Sequence, residues 1–150
     1  EMSGGVENVL VENIKYTKAN GAAHIKTGPS RGGYVKNVVF KDLFIEGSVD
    51  DAILVDAFYK APNPSCPQHW SPPASLMSNY SFVNIYGRNA DVRQNTFHLK
   101  GNPDRSVKGM YFENVRFSSG REKPDWLCAN VAGIAKEGTV KPWPPCAEIT

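Results

Sequence analysis

The chain has 150 residues, of which 41% are hydrophobic and 21% are charged, a composition typical of one soluble globular domain with a sizeable core. Its formal net charge is only +2, so neither a nucleic-acid-binding arm nor a polybasic membrane patch is predicted. No apolar run approaches the roughly 20 residues of a membrane-spanning helix.

Apolar residues come in short bursts along the chain, beginning with residues 9–11, 38–40 and 53–55. The bursts are rich in β-branched and aromatic side chains, and Gly, Asn, Asp and Lys bound them. No long window has a helical period. The pattern therefore predicts an all-β fold built from many short strands.

A nine-residue phrase with shared apolar and Asn/Asp positions occurs four times. The copies are residues 6–14, 35–43, 77–85 and 107–115, and their starts lie 29, 42 and 30 residues apart. The longest gap contains a Pro-rich stretch, 61–73, which we interpret as an inserted loop. A second strand-like burst lies between copies, at residues 23–26, 52–56 and 96–100.

A period near 30 residues with several short strands per period favours a parallel β-helix. One coil cannot bury its apolar face alone, whereas stacked coils share a continuous core. Asn or Asp at the turns can adopt left-handed backbone angles and hydrogen-bond to the neighbouring coil. The alternative is a β-sandwich with chance similarity between its strands. No domain boundary is predicted, and residues 121–150 are interpreted as a closing tail.

Five segments in order along the chain resemble polygalacturonases, the pectin-hydrolysing enzymes of glycoside hydrolase family 28. The segments are 1–9 (EMSGGVENV), 23–27 (AHIKT), 31–35 (RGGYV), 126–133 (WLCANVAG) and 142–146 (PWPPC). The resemblance is to the C-terminal half of these enzymes, and the tail is similar to the ending of plant members. It implies a right-handed parallel β-helix, which agrees with the repeat.

The resemblance implies inverting hydrolysis of the α-1,4 bond between galacturonate units. That reaction needs one carboxylic acid and one carboxylate base, roughly 6.5–9.5 Å apart. In the family, three aspartates and a Gly-His-Gly segment precede the motif inside which this chain starts. We therefore expect that these 150 residues contain no catalytic residue of the family and are inactive alone.

Asp50 and Asp51 form an acidic pair like the catalytic pair of the family, but they follow the 31–33 motif instead of preceding residue 1. We interpret them as a solvated or turn-capping pair. Asp56 is interpreted as a strand-end residue rather than as a catalyst.

His24, Ile25 and Lys26 match the substrate-binding Arg-Ile-Lys element of the family. Residues two apart on a strand share a face, so His24 and Lys26 should point outward while Ile25 points into the core. From spacing alone, a solvated lysine beside a surface histidine is the simpler interpretation. With the resemblance, Lys26 is predicted to bind a uronate carboxylate, and His24 to help only near or below pH ~6.5.

Tyr59 matches a tyrosine in the cleft of the family, where its ring could pack on a sugar face and its hydroxyl could hydrogen-bond. The alternative is a packing residue at the end of a coil. His69 and Trp70, in the Pro-rich loop, are weaker candidates for the rim of the cleft.

Cys128 and Cys146 suit a disulfide that fixes the tail, as expected for a secreted protein; two buried thiols are the alternative. Cys66 is then left without an assigned partner. Asn79 begins an Asn-Tyr-Ser glycosylation sequon, and it also occupies a turn position of the repeat.

The prediction is thus the C-terminal part of a secreted, cell-wall-acting glycosidase that binds polygalacturonate. No metal or other cofactor, no nucleic acid and no membrane are expected, and the full-length protein should be a monomer. Two alternatives stay open. One is a non-catalytic β-solenoid that binds acidic glycans. The other is a pectate lyase, which would need a carboxylate cluster for Ca²⁺.

Overall fold

The computed structural model describes residues 4–29, 31–59, 73–87, 91–92, 96–117 and 126–149. These ranges contain strands and no helix, and thus no helix that is long and apolar enough to cross a membrane. The strands are β1 (Gly5–Tyr16), β2 (Gly21–Lys26), β3 (Tyr34–Ile45), β4 (Ser48–Val49), β5 (Asp51–Asp56), β6 (Leu76–Gly87), β7 (Asp91–Val92), β8 (Phe97–Lys100), β9 (Val107–Phe117), β10 (Trp126–Ala129), β11 (Val131–Ala135) and β12 (Ala147–Ile149).

Every pairing between these strands is parallel, and strands from successive coils lie next to one another. One sheet has the order β1-β3-β6-β9-β11-β12, a second has the order β2-β5-β8-β10, and β4 pairs with β7. The chain is therefore part of a right-handed parallel β-helix, as predicted. The β-sandwich alternative is wrong.

The register of the larger sheet is the alignment of the sequence repeat. Val6 pairs with Val35, and Val35 pairs with Met77. Ser78 pairs with Lys108, and these are the second residues of the third and fourth copies. Equivalent residues of the repeat therefore lie directly above one another.

Two columns of Asn and Asp bend the long strands of this sheet. Asn8, Asn37 and Asn79 have φ between 55° and 59°, and Asn13, Asp42, Asn84 and Asn114 have φ between 52° and 58°. In the first column, Nδ2 of one amide donates to Oδ1 of the next at 3.0 and 3.1 Å. In the second, Asn84 donates to Asp42 at 2.7 Å and Asn114 donates to Asn84 at 3.1 Å. The left-handed angles and the hydrogen bonds to the neighbouring coil that were predicted for Asn and Asp are confirmed, but these residues lie within the long strands and not at their ends.

Stacked equivalent residues also build the core. The rings of Phe40 and Phe82 lie 5.7 Å apart, and those of Phe82 and Phe112 lie 5.1 Å apart. All three side chains are buried. Three consecutive coils thus each contribute one ring, and the core is continuous across them.

The C-terminal region contributes to the same stack. β10 extends the smaller sheet, and β11 and β12 extend the larger one, so the strands after residue 125 continue the stack. A disulfide joins Cys128 on β10 to Cys146, with their Cα atoms 5.9 Å apart.

We predict that Asn84→Ala lowers the free energy of unfolding by about 2–4 kcal/mol. Alanine tolerates the left-handed backbone angle less well than asparagine, and the substitution also removes two side-chain hydrogen bonds. Asn84→Gly, which accepts the left-handed angle, should lose less. Urea unfolding followed by circular dichroism measures both variants. Equal losses would show that the backbone angle contributes nothing.

The Cys128–Cys146 disulfide closes a loop with a sequence separation of 18 residues. A Cys128→Ser, Cys146→Ser double variant should therefore lose roughly 3 kcal/mol of stability relative to the oxidised chain. Mass spectrometry of unreduced peptides checks the bond first. Two alkylatable thiols in oxidised material would contradict the pairing.

Candidate functional site

β2 presents two predicted ligand residues on its outer face. Ile25 is buried in the core, whereas His24 is half-buried and Lys26 is exposed. This alternation follows from the two-residue period of a strand. The orientation predicted for these three side chains is thus the one that the structure has.

The outer face of the smaller sheet carries two rows of aligned residues. One row is His24, Leu54, His98 and Leu127, and the other is Lys26, Asp56, Lys100 and Ala129. Because adjacent strands lie about 4.8 Å apart, each row places polar side chains within reach of one extended ligand.

Lys26 and Tyr59, both predicted from the sequence, lie together. The Lys26 Nζ is 4.3 Å from the centre of the Tyr59 ring, and the Tyr59 side chain is 41% exposed. The backbone N–H of Tyr59 donates to the carbonyl of Thr27 at 2.9 Å, which holds the Tyr59 backbone beside the end of β2. The pair therefore presents an ammonium group and an aromatic ring to solvent.

A cavity of about 500 Å³ opens beside this pair. Lys26 and Tyr59 line it together with Arg31 and Tyr34, which the sequence reasoning did not single out as ligand residues. Two cationic groups and two phenol rings thus converge on one concave surface. This combination suits a ligand that carries both carboxylates and sugar rings.

The wall of the cavity is held by a short chain of hydrogen bonds. The Ser75 hydroxyl donates to the carbonyl of Gly32 at 2.7 Å, and the Thr27 hydroxyl lies 2.7 Å from the Ser75 oxygen. Since the single Ser75 proton goes to Gly32, the Thr27 hydroxyl donates to Ser75. These bonds tie the end of β2 to the segments before β3 and β6.

Two glycines pack closely against the neighbouring coil beside this cavity. A Cβ at Gly5 would enter the ring of Tyr34, and a Cβ at Gly33, where φ is 64°, would collide with the Gly4 carbonyl. The glycines of the 1–9 and 31–35 segments therefore permit close approach of two coils beside the cavity.

His24 lies outside the lining of this cavity. Its Nε2 is 2.9 Å from the carbonyl oxygen of Asp51, and its ring packs against Gly21. Nε2 therefore carries a proton and donates to that carbonyl. Burial lowers the pKa of His24 below its usual value of 6.5, so the charge predicted for acid pH develops only at still lower pH.

Asp51 and Asp56 are buried, at 6% and 8% exposure. Of the two interpretations of Asp51, a solvated residue is wrong, because Asp51 begins β5 between β2 and β8, and a turn-capping residue stays a prediction. Asp56 Oδ1 accepts the N–H of Phe58 at 2.8 Å, as predicted for a strand-end residue. His98 lies between the carboxylates, with Nδ1 3.9 Å from Asp51 and Nε2 3.8 Å from Asp56.

The other predicted residues are distributed as follows. The Asn79 side chain is exposed and donates to Asn37, so its glycosylation stays a prediction. Cys66, His69 and Trp70 lie outside the described residues. Within the described ranges, no group of three or more His, Cys, Asp or Glu side chains could hold a metal ion.

A family model for glycosyl hydrolases family 28 matches residues 2–139. The chain belongs to glycosyl hydrolase family 28. A probable polygalacturonase of Vitis vinifera is 28% identical over 147 residues, which is 95% of this chain and 28% of that protein. Exopolygalacturonase X-1 of Emericella nidulans is 29% identical over 142 residues, 84% of this chain and 32% of that protein.

A probable exopolygalacturonase X of Aspergillus fumigatus is 29% identical over 141 residues, 84% of this chain and 32% of that protein. This family 28 chain thus spans about a third or less of each of these relatives. No solved structure matches it significantly.

Sequence reasoning on this family 28 chain missed His98 and Lys100, although a signal for them is present. The triplet His24-Ile25-Lys26 is repeated as His98-Leu99-Lys100, two coils further along the smaller sheet. Aligning the second strand-like bursts with one another would have found it.

The lowered pKa of His24 predicts a pH-dependent stability. Below about pH 6.5 the unfolded chain binds a proton that the folded site resists, so folding stability should fall as the pH falls. His24→Gln keeps an N–H donor and removes the titration. Urea unfolding at pH 7.5 and at acid pH should show a larger acid loss for the unaltered chain than for the variant. If both chains lose the same stability in acid, the lowered pKa does not belong to His24.

Proposed function

We propose that this chain is the C-terminal part of a secreted, pectin-degrading polygalacturonase-like hydrolase that cleaves α-1,4 galacturonosyl bonds with inversion. Family 28 membership and the names of its relatives support this class of activity. In this proposal the outer face of the smaller sheet binds polygalacturonate, and residues 1–150 belong to one β-helix domain.

The observation that carries the proposal is the Lys26–Tyr59 pair at the cavity that Arg31 also lines. Among the described residues, Lys26 forms no ion pair, so its ammonium is available to a ligand carboxylate. The exposed phenol ring of Tyr59 offers a flat surface to a pyranose ring. Arg31 adds a planar donor group that matches a second carboxylate.

His24 has a supporting role in this proposal. Its neutral ring, held by the Asp51 carbonyl, shapes the outer face at neutral pH, and its positive charge would add attraction for uronates only in acid. The Cys128–Cys146 disulfide supports an oxidising, extracellular location.

We further propose that these 150 residues bind the polymer but do not hydrolyse it alone. An inverting glycosidase needs one acid and one base on opposite sides of the scissile bond. Asp51 and Asp56 are both buried, and Asp56 is already engaged by the Phe58 N–H, so neither presents a free carboxyl group to a glycosidic oxygen. This arrangement also suits the alternative, a non-catalytic β-solenoid that binds acidic glycans.

Lys26→Ala should weaken binding of polygalacturonate about ten- to a hundred-fold, because a hydrogen bond to a charged group is worth roughly 1.5–3 kcal/mol. Titration calorimetry with an oligogalacturonide measures the loss. Lys108→Ala, which removes an exposed lysine from β9 in the other sheet, is the matched control. If both variants bind equally well, the cavity is not the polymer site.

Incubation of the 150-residue chain with polygalacturonate should release no reducing ends above a blank at any pH from 4 to 8. A colorimetric reducing-sugar assay tests this, with Asp51→Asn and Asp56→Asn as the informative variants. Release that disappears in either variant would show that the buried acids are catalytic after all.

A further inference from the structure

We propose that Lys100 forms a second carboxylate-binding position. Lys26 and Lys100 would bind the carboxylates of two different uronate residues of the same polymer. This inference rests on the proposed function, since it assumes that the outer face binds an acidic glycan. Lys100 does not line the cavity beside Lys26 and Tyr59.

The first argument is a repeat of chemistry at equal positions. The His-apolar-Lys triplet occurs at 24–26 on β2 and at 98–100 on β8, and the register through β5 places both lysines in one row. Leu99 points into the core as Ile25 does, so His98 and Lys100 face outward. The two strands thus present the same pair of side chains on the same face.

The second argument is that both lysines lie over aromatic rings of the same turn. The Lys26 Nζ lies 4.3 Å from the centre of the Tyr59 ring, and the Lys100 Nζ lies 4.9 Å from the centre of the Phe58 ring. Phe58 and Tyr59 are consecutive residues at the end of β5, between the two lysine strands. Each lysine therefore lies over its own ring.

Backbone hydrogen bonds hold this turn to both strands. The N–H of Ala57 donates to the carbonyl of Lys100 at 2.8 Å, and the N–H of Tyr59 donates to the carbonyl of Thr27 at 2.9 Å. The Asp56 side chain accepts the N–H of Phe58. The backbone that carries both rings is therefore held beside both lysine strands.

The third argument is charge. Asp56 lies between the two lysines in the row, yet its carboxylate is directed to the Phe58 N–H and faces His98. In the part of the chain that the structure describes, neither Lys26 nor Lys100 takes part in an ion pair. Both ammonium groups are therefore available to anions from solution.

The spacing indicates the kind of ligand. Two strand spacings separate the Cα atoms of Lys26 and Lys100 by about 10 Å. Two ammonium groups placed this way suit carboxylates on different rings of one chain. A polyuronate, which carries a carboxylate on every ring, presents them together, whereas a neutral polysaccharide presents none.

Titration calorimetry with a long oligogalacturonide and with its methyl-esterified form tests the proposal. Lys100→Met keeps the apolar stem over Phe58 and removes the charge, so it should weaken binding of the acidic oligomer about ten-fold or more. Binding of the esterified oligomer should not change. Lys100→Arg should restore most of the affinity, and Lys108→Met should behave like the unaltered chain.

Each other result overturns a defined part of the proposal. If Lys26→Ala weakens binding and Lys100→Met does not, the second position is wrong and the proposed function stands. If Lys100→Met weakens the binding of both oligomers equally, Lys100 does not bind a carboxylate. If the unaltered chain binds neither oligomer, the proposed function itself fails. A thermal unfolding curve for each variant confirms that a loss of binding is not a loss of fold.

Discussion

Parallel stacking in register, fixed by left-handed Asn and Asp residues, is the constraint from which the other features of this molecule follow. Each such residue bends a strand and offers an amide or carboxylate to the next coil. A slip of one residue in the register would place a residue other than Asn or Asp at each left-handed position. It would also turn the apolar side chains outward. Turn chemistry and core packing therefore select the same register, and each supports the other.

The same register makes the surface repetitive. Each residue on the outer face of one strand has a neighbour about 4.8 Å away at the equivalent position of the next strand, so rows of side chains run along the stack. Inside the molecule, this produces the stack of Phe40, Phe82 and Phe112. Outside, it produces the row that contains Lys26, Asp56 and Lys100. An extended polymer is the ligand best matched to such a row, since its own groups also repeat.

Much of this could be predicted from the sequence. The repeat predicted the parallel coils, and its alignment predicted the register, because equivalent residues must stack to share one core. The strand period predicted that Lys26 faces outward and that Ile25 faces inward. The left-handed angles of Asn8, Asn37 and Asn79 could also be predicted, because Asn tolerates this conformation and recurs at one position of the repeat.

The tertiary structure alone decided what lies beside each of these groups. Contacts between coils turn His24 toward the Asp51 carbonyl, bury Asp51, and bring Arg31 and Tyr34 to the cavity. These contacts join residues that are far apart in the chain, and no local pattern specifies them. The sequence thus determined the stack and the face on which its side chains lie, because both depend on local periodicity. Burial and hydrogen-bond partners depended on packing between coils, which only the folded chain defines.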